Sequence, residues 1–136
     1  MAYAIKADIP DIAAERFTFL EAKTMYGGKK IAAGDRIYLF ASENEGGQGL
    51  FARGRVTDAA AVPLDPDLAR QTPCVSITVT IDARAVRPLV RRDLKPLKDW
   101  DDGQPGTELN FKFYRQATNK IVGLSDAAAA YLDTFF

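Results

Sequence analysis

Residues 34–56 read GDRIYLFASENEGGQGLFARGRV, and this stretch decides the fold. Its first part places apolar side chains at four consecutive positions, so that Ile37 and Leu39 share one face while Tyr38 and Phe40 share the other. Successive side chains of a strand point to opposite faces, and two apolar faces indicate a strand buried on both sides. The Gly-rich ENEGGQG predicts a turn, and LFARGRV predicts a returning strand with a bulge or bend at Gly54.

Outward from this hairpin, further stretches predict strands. AYAIKAD (2–8) places Tyr3, Ile5 and Ala7 on one face, and CVSITVTIDA (74–83) alternates between apolar and polar residues. We interpret NFKFYRQA (110–117) as another strand, followed by the short apolar run NKIVGL (119–124). Ser125 is an expected N-cap for a terminal helix over about 125–134. The predicted core comprises Val75, Ile77, Val79, Ile81, Leu39, Phe111 and Phe113.

Five or six strands with little helix predict a mainly β (α+β) protein. The expected architecture is a small, bent, mixed β-barrel with short peripheral helices and a C-terminal helix. The 136 residues are enough for one domain with a real core, and no repeat or linker divides them. We therefore treat residues 1–136 as a single domain.

The amino-acid composition excludes several classes of function. The 18 basic and 18 acidic residues cancel, so any attraction of nucleic acid must come from a local patch. The sequence has no histidine and only one cysteine, which excludes His-dependent catalysis and the usual zinc sites. We expect no metal, no cofactor and no catalytic residue. No apolar stretch is long enough to span a bilayer, and the start lacks signal-peptide features, so we expect a cytoplasmic protein.

The hairpin and the closing run IVGLSDAAAAYL (121–132) resemble the PUA-like superfamily and, within it, EVE-type domains. In those domains a Gly-Asp pair introduces a strand, a polar loop follows, and a glycine-bearing strand returns across the barrel. Gly34 and Asp35, Ser42 and Asn44, and residues 49–56 stand at the matching places. The resemblance implies a PUA-like barrel that binds RNA or DNA, often reading a modified or flipped base.

A pocket for a base needs a flat apolar wall and polar groups for the base edge. Ser42 and Asn44 are candidates for the edge, because hydroxyl and amide groups both donate and accept hydrogen bonds. Tyr26, Tyr38 and Trp100 are candidates for the wall. For each aromatic residue the more common role is ordinary core or surface packing, and the alternative role of Ser42 and Asn44 is to shape the turn.

A basic run, RAVRPLVRRDLKPLK (84–98), holds six cations and one acid, a local charge of +5. Arg91, Arg92 and Lys95 are the candidates for binding backbone phosphates, since cations that neutralise phosphates release counterions. The alternative is a solvated surface segment.

Two other interpretations stay open. A small hydrolase or nuclease of the related ASCH type would use Lys23, Thr24 and Glu21, and a β-barrel that binds a small ligand or a protein would involve no nucleic acid. The acidic stretch DWDDGQPGTE (99–108) has no calcium-loop spacing, and we expect it to balance the basic run. We favour a binding module over an enzyme.

Overall fold

In a computed structural model, residues 2–99, 101–114 and 118–136 are described. Their strands are β1 (Ala2–Ala7), β2 (Arg16–Met25), β3 (Arg36–Ala41), β4 (Gly49–Ala61), β5 (Cys74–Arg84) and β6 (Lys120–Leu124). The α-helices are α1 (Arg91–Leu94), α2 (Pro105–Leu109) and α3 (Asp126–Asp133). Short 3-10 turns occupy Gly28–Lys30 and Glu43–Glu45, and a π-helical turn occupies Asn110–Tyr114.

The strands close into a mixed barrel in the order β1-β3-β4-β5-β2-β6. The β1–β3 and β2–β6 pairs are parallel and the other four are antiparallel. The pairing of β4 with β5 shifts register between Arg53 and Gly54, at the predicted bulge. The predicted bent mixed barrel with short peripheral helices and a C-terminal helix is confirmed.

Two apolar clusters account for the packing. The inner cluster takes alternate residues of the strands, including Ile37 and Leu39, and the outer cluster contains Tyr38 and Phe40 together with residues of the helices. The prediction that β3 is buried on both sides is therefore confirmed. Val75, Ile77 and Val79 are buried as predicted, and Ile81 packs partly buried against the inner cluster.

The C-terminal helix begins as predicted. The Ser125 side chain accepts a hydrogen bond from the Ala128 N–H at 3.1 Å, and Asp126 lies in the first turn, where a carboxylate is favourable. Leu132 and Phe135 are buried in the outer cluster. This amphipathic packing fixes the helix against the outer face of the barrel.

The strand predicted over 110–117 is wrong. Residues 105–114 form α2 and the π-helical turn, because Pro105 occupies the first helical turn and the Asp102 carboxylate accepts from the Gln104 N–H at 2.9 Å, which starts a helix. Asn110 then anchors the turn by donating from Nδ2 to the Leu94 carbonyl at 2.6 Å. The alternating aromatic residues Phe111 and Phe113 resemble the period-two pattern of a strand, which explains the wrong prediction.

Phe111 is consequently not a core residue. It is half-buried, and its ring packs against Tyr26 at a centroid distance of 5.9 Å, outside both clusters. Residues 115–117 of the predicted strand and the Phe113 side chain lie outside the described part of the chain.

Gly49 joins the hairpin to the segment after β5, and it provides a test. Its φ of +78° is left-handed, and a Cβ there would lie 2.1 Å from the Leu89 carbonyl oxygen. Gly46 has a similar φ of +86° but faces open space. We expect Gly49→Ala to lower the free energy of unfolding by about 3 kcal/mol or more, and Gly46→Ala by about 1–2 kcal/mol, since only the first adds a clash to the backbone strain. Urea denaturation measures both, and equal losses would contradict this packing.

Candidate functional site

A cleft lies between the turn that follows β3 and the segment that enters α1. The cavity itself has a volume of about 30 Å³, and the roughly 390 Å³ of atom-free space around it includes open solvent. The lining residues come from four places in the sequence: Lys6, Phe40, Ala41, Ser42, Glu43, Asn44, Gly49, Leu89, Val90, Arg91 and Leu94. The structure thus brings together three predicted site residues, Ser42, Asn44 and Arg91.

The hairpin and the α1 segment are held together across the cleft. The Leu50 N–H donates to the Leu89 carbonyl at 3.0 Å. On the polar side, the Arg91 N–H donates to Glu43 Oε2 at 2.6 Å and Arg91 Nη1 donates to Asn44 Oδ1 at 3.2 Å. The polar turn of the hairpin is therefore half of a cleft whose other half is the basic segment.

Ser42 forms the floor of the cleft. Its backbone N–H extends the β1–β3 pairing by donating to the Ala7 carbonyl at 2.8 Å, and the residue is only 1 % exposed. Its hydroxyl lies 3.2 Å from the Thr118 hydroxyl, and either group can donate. Asn44 is instead exposed at the rim, where its amide nitrogen carries two N–H donors.

The cleft also has an apolar wall and a cation at its edge. Phe40, Leu89 and Leu94 are buried in the outer cluster and line one side. Lys6 is half-buried at the rim, where burial and the nearby charge of Arg91 lower its pKa against the opposing attraction of Glu43. The site therefore pairs an apolar surface with positive charge.

Tyr38 was predicted as a wall of this cleft, and this prediction needs correction. Its side chain is fully buried between β3 and α3, and its hydroxyl donates to Asp133 Oδ1 at 2.6 Å and contacts the Ala129 carbonyl at 3.1 Å. Asp133 also accepts from Arg53 at 2.9 Å and from Arg36 at 3.4 Å. Tyr38 therefore anchors the C-terminal helix. Its ring packs in the outer cluster, and its hydroxyl hydrogen-bonds two residues of α3.

Tyr26 lies outside the lining of the cleft. It is 43 % exposed, has a left-handed φ of 54°, and packs on Phe111, with Lys112 Nζ 5.1 Å from its ring centroid. Phe111 and Lys112 line a separate groove formed by α2 and its π-helical turn. The exposed ring of Tyr26 belongs to that surface. Trp100 lies outside the described residues.

The basic run divides into anchoring and exposed parts. Arg84 donates to the carbonyls of Ile12, Ala13 and Ala14 at 2.6, 3.0 and 2.8 Å, which fixes the β1–β2 loop. The Arg87 guanidinium stacks 4.0 Å from the Phe135 ring centroid. The candidates for phosphate binding, Arg91, Arg92 and Lys95, belong to the exposed part.

Arg91 lines the cleft, whereas Arg92 and Lys95 are exposed beside it. All three side chains are exposed, and the Arg91 guanidinium donates to Asn44.

The acidic stretch serves the local fold. Asp102 accepts hydrogen bonds from Gln104 and Thr107 at the start of α2. Burial opposes ionisation of Glu108, but hydrogen bonds from Ser125 and Lys112 outweigh it and lower its pKa. Within the described part of the chain, no group of three or more Cys, Asp or Glu residues is arranged to hold a metal ion.

The residues of the hydrolase interpretation do not converge. Lys23 and Thr24 are successive residues of β2 and point to opposite faces. The Thr24 hydroxyl donates to the Pro73 carbonyl at 2.7 Å, and Glu21 occupies the β2 bulge with a φ of 51°. These side chains therefore offer no shared catalytic site.

Among the lining residues that sequence reasoning missed are Lys6, Phe40 and Glu43. Lys6 is the one charged residue of an otherwise apolar strand and follows the outward register of Ala4, which is a readable signal. Glu43 stands between two predicted site residues. Nothing in the sequence indicates that Phe40 lines a cleft, because its position on the second apolar face of β3 predicts only that it is buried.

Comparisons with solved structures identify the fold. The DUF55 domain of human thymocyte nuclear protein 1 superposes with a TM-score of 0.66, at 14 % identity over 98 % of this chain and 97 % of that one. A Pseudomonas putida protein matches with a TM-score of 0.61, at 17 % identity over 99 % of each chain. The chain shares the fold of this DUF55 domain, a small PUA-like β-barrel.

Only the comparison of structures, and not of sequences, finds this fold. No protein-family model matches the sequence, and a search of curated proteins found no relative. A further structure of human thymocyte nuclear protein 1 contains DNA with 5-methylcytosine and matches with a TM-score of 0.64, at 13 % identity over 98 % of this chain and 96 % of that one. In the described residues, no helix is long and apolar enough to cross a membrane.

The Tyr38–Asp133 contact gives a pH-dependent prediction. Burial first, and the hydrogen bond to Asp133 second, raise the pKa of Tyr38 to about 12. A raised folded-state pKa favours the neutral phenol, so its stabilisation is present below the unfolded pKa of about 10 and is lost as pH rises towards 12. In an ultraviolet titration at 295 nm, we expect Tyr38→Phe to remove a late-ionising tyrosine and Asp133→Asn to shift it to lower pH. An unchanged titration in Asp133→Asn would contradict the coupling.

Proposed function

We propose that this protein binds nucleic acid and accepts one unpaired base at the cleft between the β3–β4 turn and α1. The base can be a modified one. One observation carries the proposal: the fold brings the polar turn, an apolar wall and an exposed cationic segment together around a single cleft. Each part has a distinct role in recognising a nucleotide.

The base would enter between the apolar wall and the polar turn. Phe40 and Leu89 present apolar surface to the cleft, and burial of a base face there is favourable. Asn44 at the rim would hydrogen-bond the base edge, since its amide both donates and accepts. Ser42 would contribute from the floor, in exchange for its contact with Thr118.

The contacts that span the cleft would open on binding. Arg91 holds Asn44 through its guanidinium and Glu43 through its backbone N–H, and both bonds are exposed to solvent. An incoming phosphate can replace Asn44 as the acceptor for Arg91, which frees the Asn44 amide for the base. Arg92 and Lys95 would then hold flanking phosphates.

The structural neighbours support this proposal at the level of the fold. Human thymocyte nuclear protein 1, which shares the fold over nearly the whole chain, was solved in complex with DNA that contains 5-methylcytosine. A fold that holds methylated DNA in that protein makes a modified base a rational first ligand to test for this one. We propose a binding module rather than an enzyme, with no catalytic residue assigned.

Two substitutions separate reading of the base from binding of the backbone. Asn44→Ala should reduce discrimination between oligonucleotides that differ in the exposed base, by about 1–3 kcal/mol, the scale of a good base-edge contact. The matched control is Gln48→Ala, which removes an exposed amide from the same turn without lining the cleft. Fluorescence anisotropy with single-stranded and duplex oligonucleotides, with and without 5-methylcytosine, measures the effect.

Arg92→Ala should weaken the binding of all oligonucleotides to a similar extent. It should also make the dependence of log K on log[salt] shallower by about 0.7–0.9, the contribution of one phosphate contact. The control is Lys30→Ala, an exposed cation of the turn Gly28–Lys30 that does not line the cleft. If no oligonucleotide binds the native protein more tightly than about 100 μM at low salt, weaker than ordinary non-specific binding, the proposal is wrong and a small-ligand or protein-binding barrel replaces it.

A further inference from the structure

Three lysines stand side by side on neighbouring strands next to the cleft. In the strand register Lys6 of β1 is paired with Lys120 of β6, and Lys120 is paired with Lys23 of β2. Directly paired residues place their side chains on the same face of the sheet, with Cβ atoms about 4.5–5.5 Å apart. The three ammonium groups therefore form one row, which we call the lysine row.

The lysine row faces outward and begins at the cleft. Its inward neighbours Ile5 and Ile121 belong to the inner cluster, so the row residues alternate to the outer face. On the other side of Lys6 the register continues to Phe40, and both residues line the cleft. The outer surface thus runs from the apolar wall to Lys6 and onward over two further strands.

Backbone hydrogen bonds fix the spacing of this row. The Asn119 N–H donates to the Lys6 carbonyl at 2.6 Å, and the Asn119 carbonyl accepts from the Lys23 N–H at 3.2 Å. Residue 119 therefore ties the two outer lysines to the strand that carries the middle one. Thr118, its neighbour, contacts the Ser42 hydroxyl on the floor of the cleft.

The lysine row concentrates positive charge on this face of the barrel. Like charges directly opposite one another on adjacent strands are destabilising, and the row contains two such pairs. Lys6 also faces a cation outside the row, because the charge of Arg91 acts on it across the cleft. The Glu43 carboxylate, which accepts from the Arg91 N–H, partly offsets this charge at Lys6.

We propose that the lysine row is the second half of a backbone track, so that a nucleic acid strand with one base in the cleft continues over Lys6, Lys120 and Lys23. Arg91, Arg92 and Lys95 hold phosphates on one side of that base, and the lysine row holds phosphates on the other. Neighbouring strands are about 4.8 Å apart, so the row spans roughly 10 Å. This inference rests on the proposed function and adds the path of the strand.

The test is a salt titration of oligonucleotide binding by the full chain. Lys23→Gln should weaken binding of a single strand long enough to extend from the cleft and should lower the slope of log K against log[salt] by about 0.7. Lys120→Gln should do the same. The control Arg16→Gln also removes one positive charge from β2, at the other end of the strand, and should leave affinity and slope unchanged.

Oligonucleotide length supplies a second readout. The effect of Lys23→Gln should disappear with a dinucleotide, which is too short to occupy both the cleft and the far end of the row, while the effect of Arg92→Ala should persist. Circular dichroism confirms that each variant is folded. If native protein binds but Lys23→Gln and Lys120→Gln keep the native slope, the track is wrong and the cleft proposal stands. If the native protein binds no oligonucleotide, the proposed function itself fails.

Discussion

Strand β3 is the constraint on which the rest of the structure depends. Its side chains alternate between two apolar clusters, so one short strand belongs at once to the barrel interior and to the layer under the helices. Pairing with β1 on one side and β4 on the other satisfies its backbone. Because both faces and both edges of β3 are covered, its end is a rigid place from which to present a polar turn.

The cleft follows from the way that rigid end meets the chain after β5. Close approach of Gly49 to the Leu89 carbonyl, and the hydrogen bond from Leu50 to the same carbonyl, bring two distant segments into contact. Polar groups at the end of β3 then face a basic segment, and Arg91 bridges them. The polar residues of the β3–β4 turn are explained by the basic segment across the cleft, to which they bond. A turn that only reverses the chain would not require them.

Strand register, rather than sequence proximity, organises the positive charge around that cleft. The chain is neutral overall, and its basic run is partly used internally, by Arg84 on backbone carbonyls and Arg87 on an aromatic ring. Lys6, Lys23 and Lys120 are far apart in sequence, and only the barrel closure by β6 between β1 and β2 makes them neighbours. The surface potential relevant to a polyanion is therefore a product of topology.

The sequence by itself determined the strands whose local pattern is unambiguous, the bulge at Gly54, the Ser125 cap and the barrel class. Period-two alternation, glycine in a strand and a helix cap act within a few residues, so they can be read locally. The helical turns of 105–114 begin at Pro105, a local signal, and Asn110 secures them on the Leu94 carbonyl. The tertiary structure decided that Tyr38 is buried under the terminal helix, where it hydrogen-bonds Asp133, and that Lys6 and Phe40 reach the cleft. Those outcomes depend on contacts between residues tens of positions apart, where packing and strand register overrule local preference.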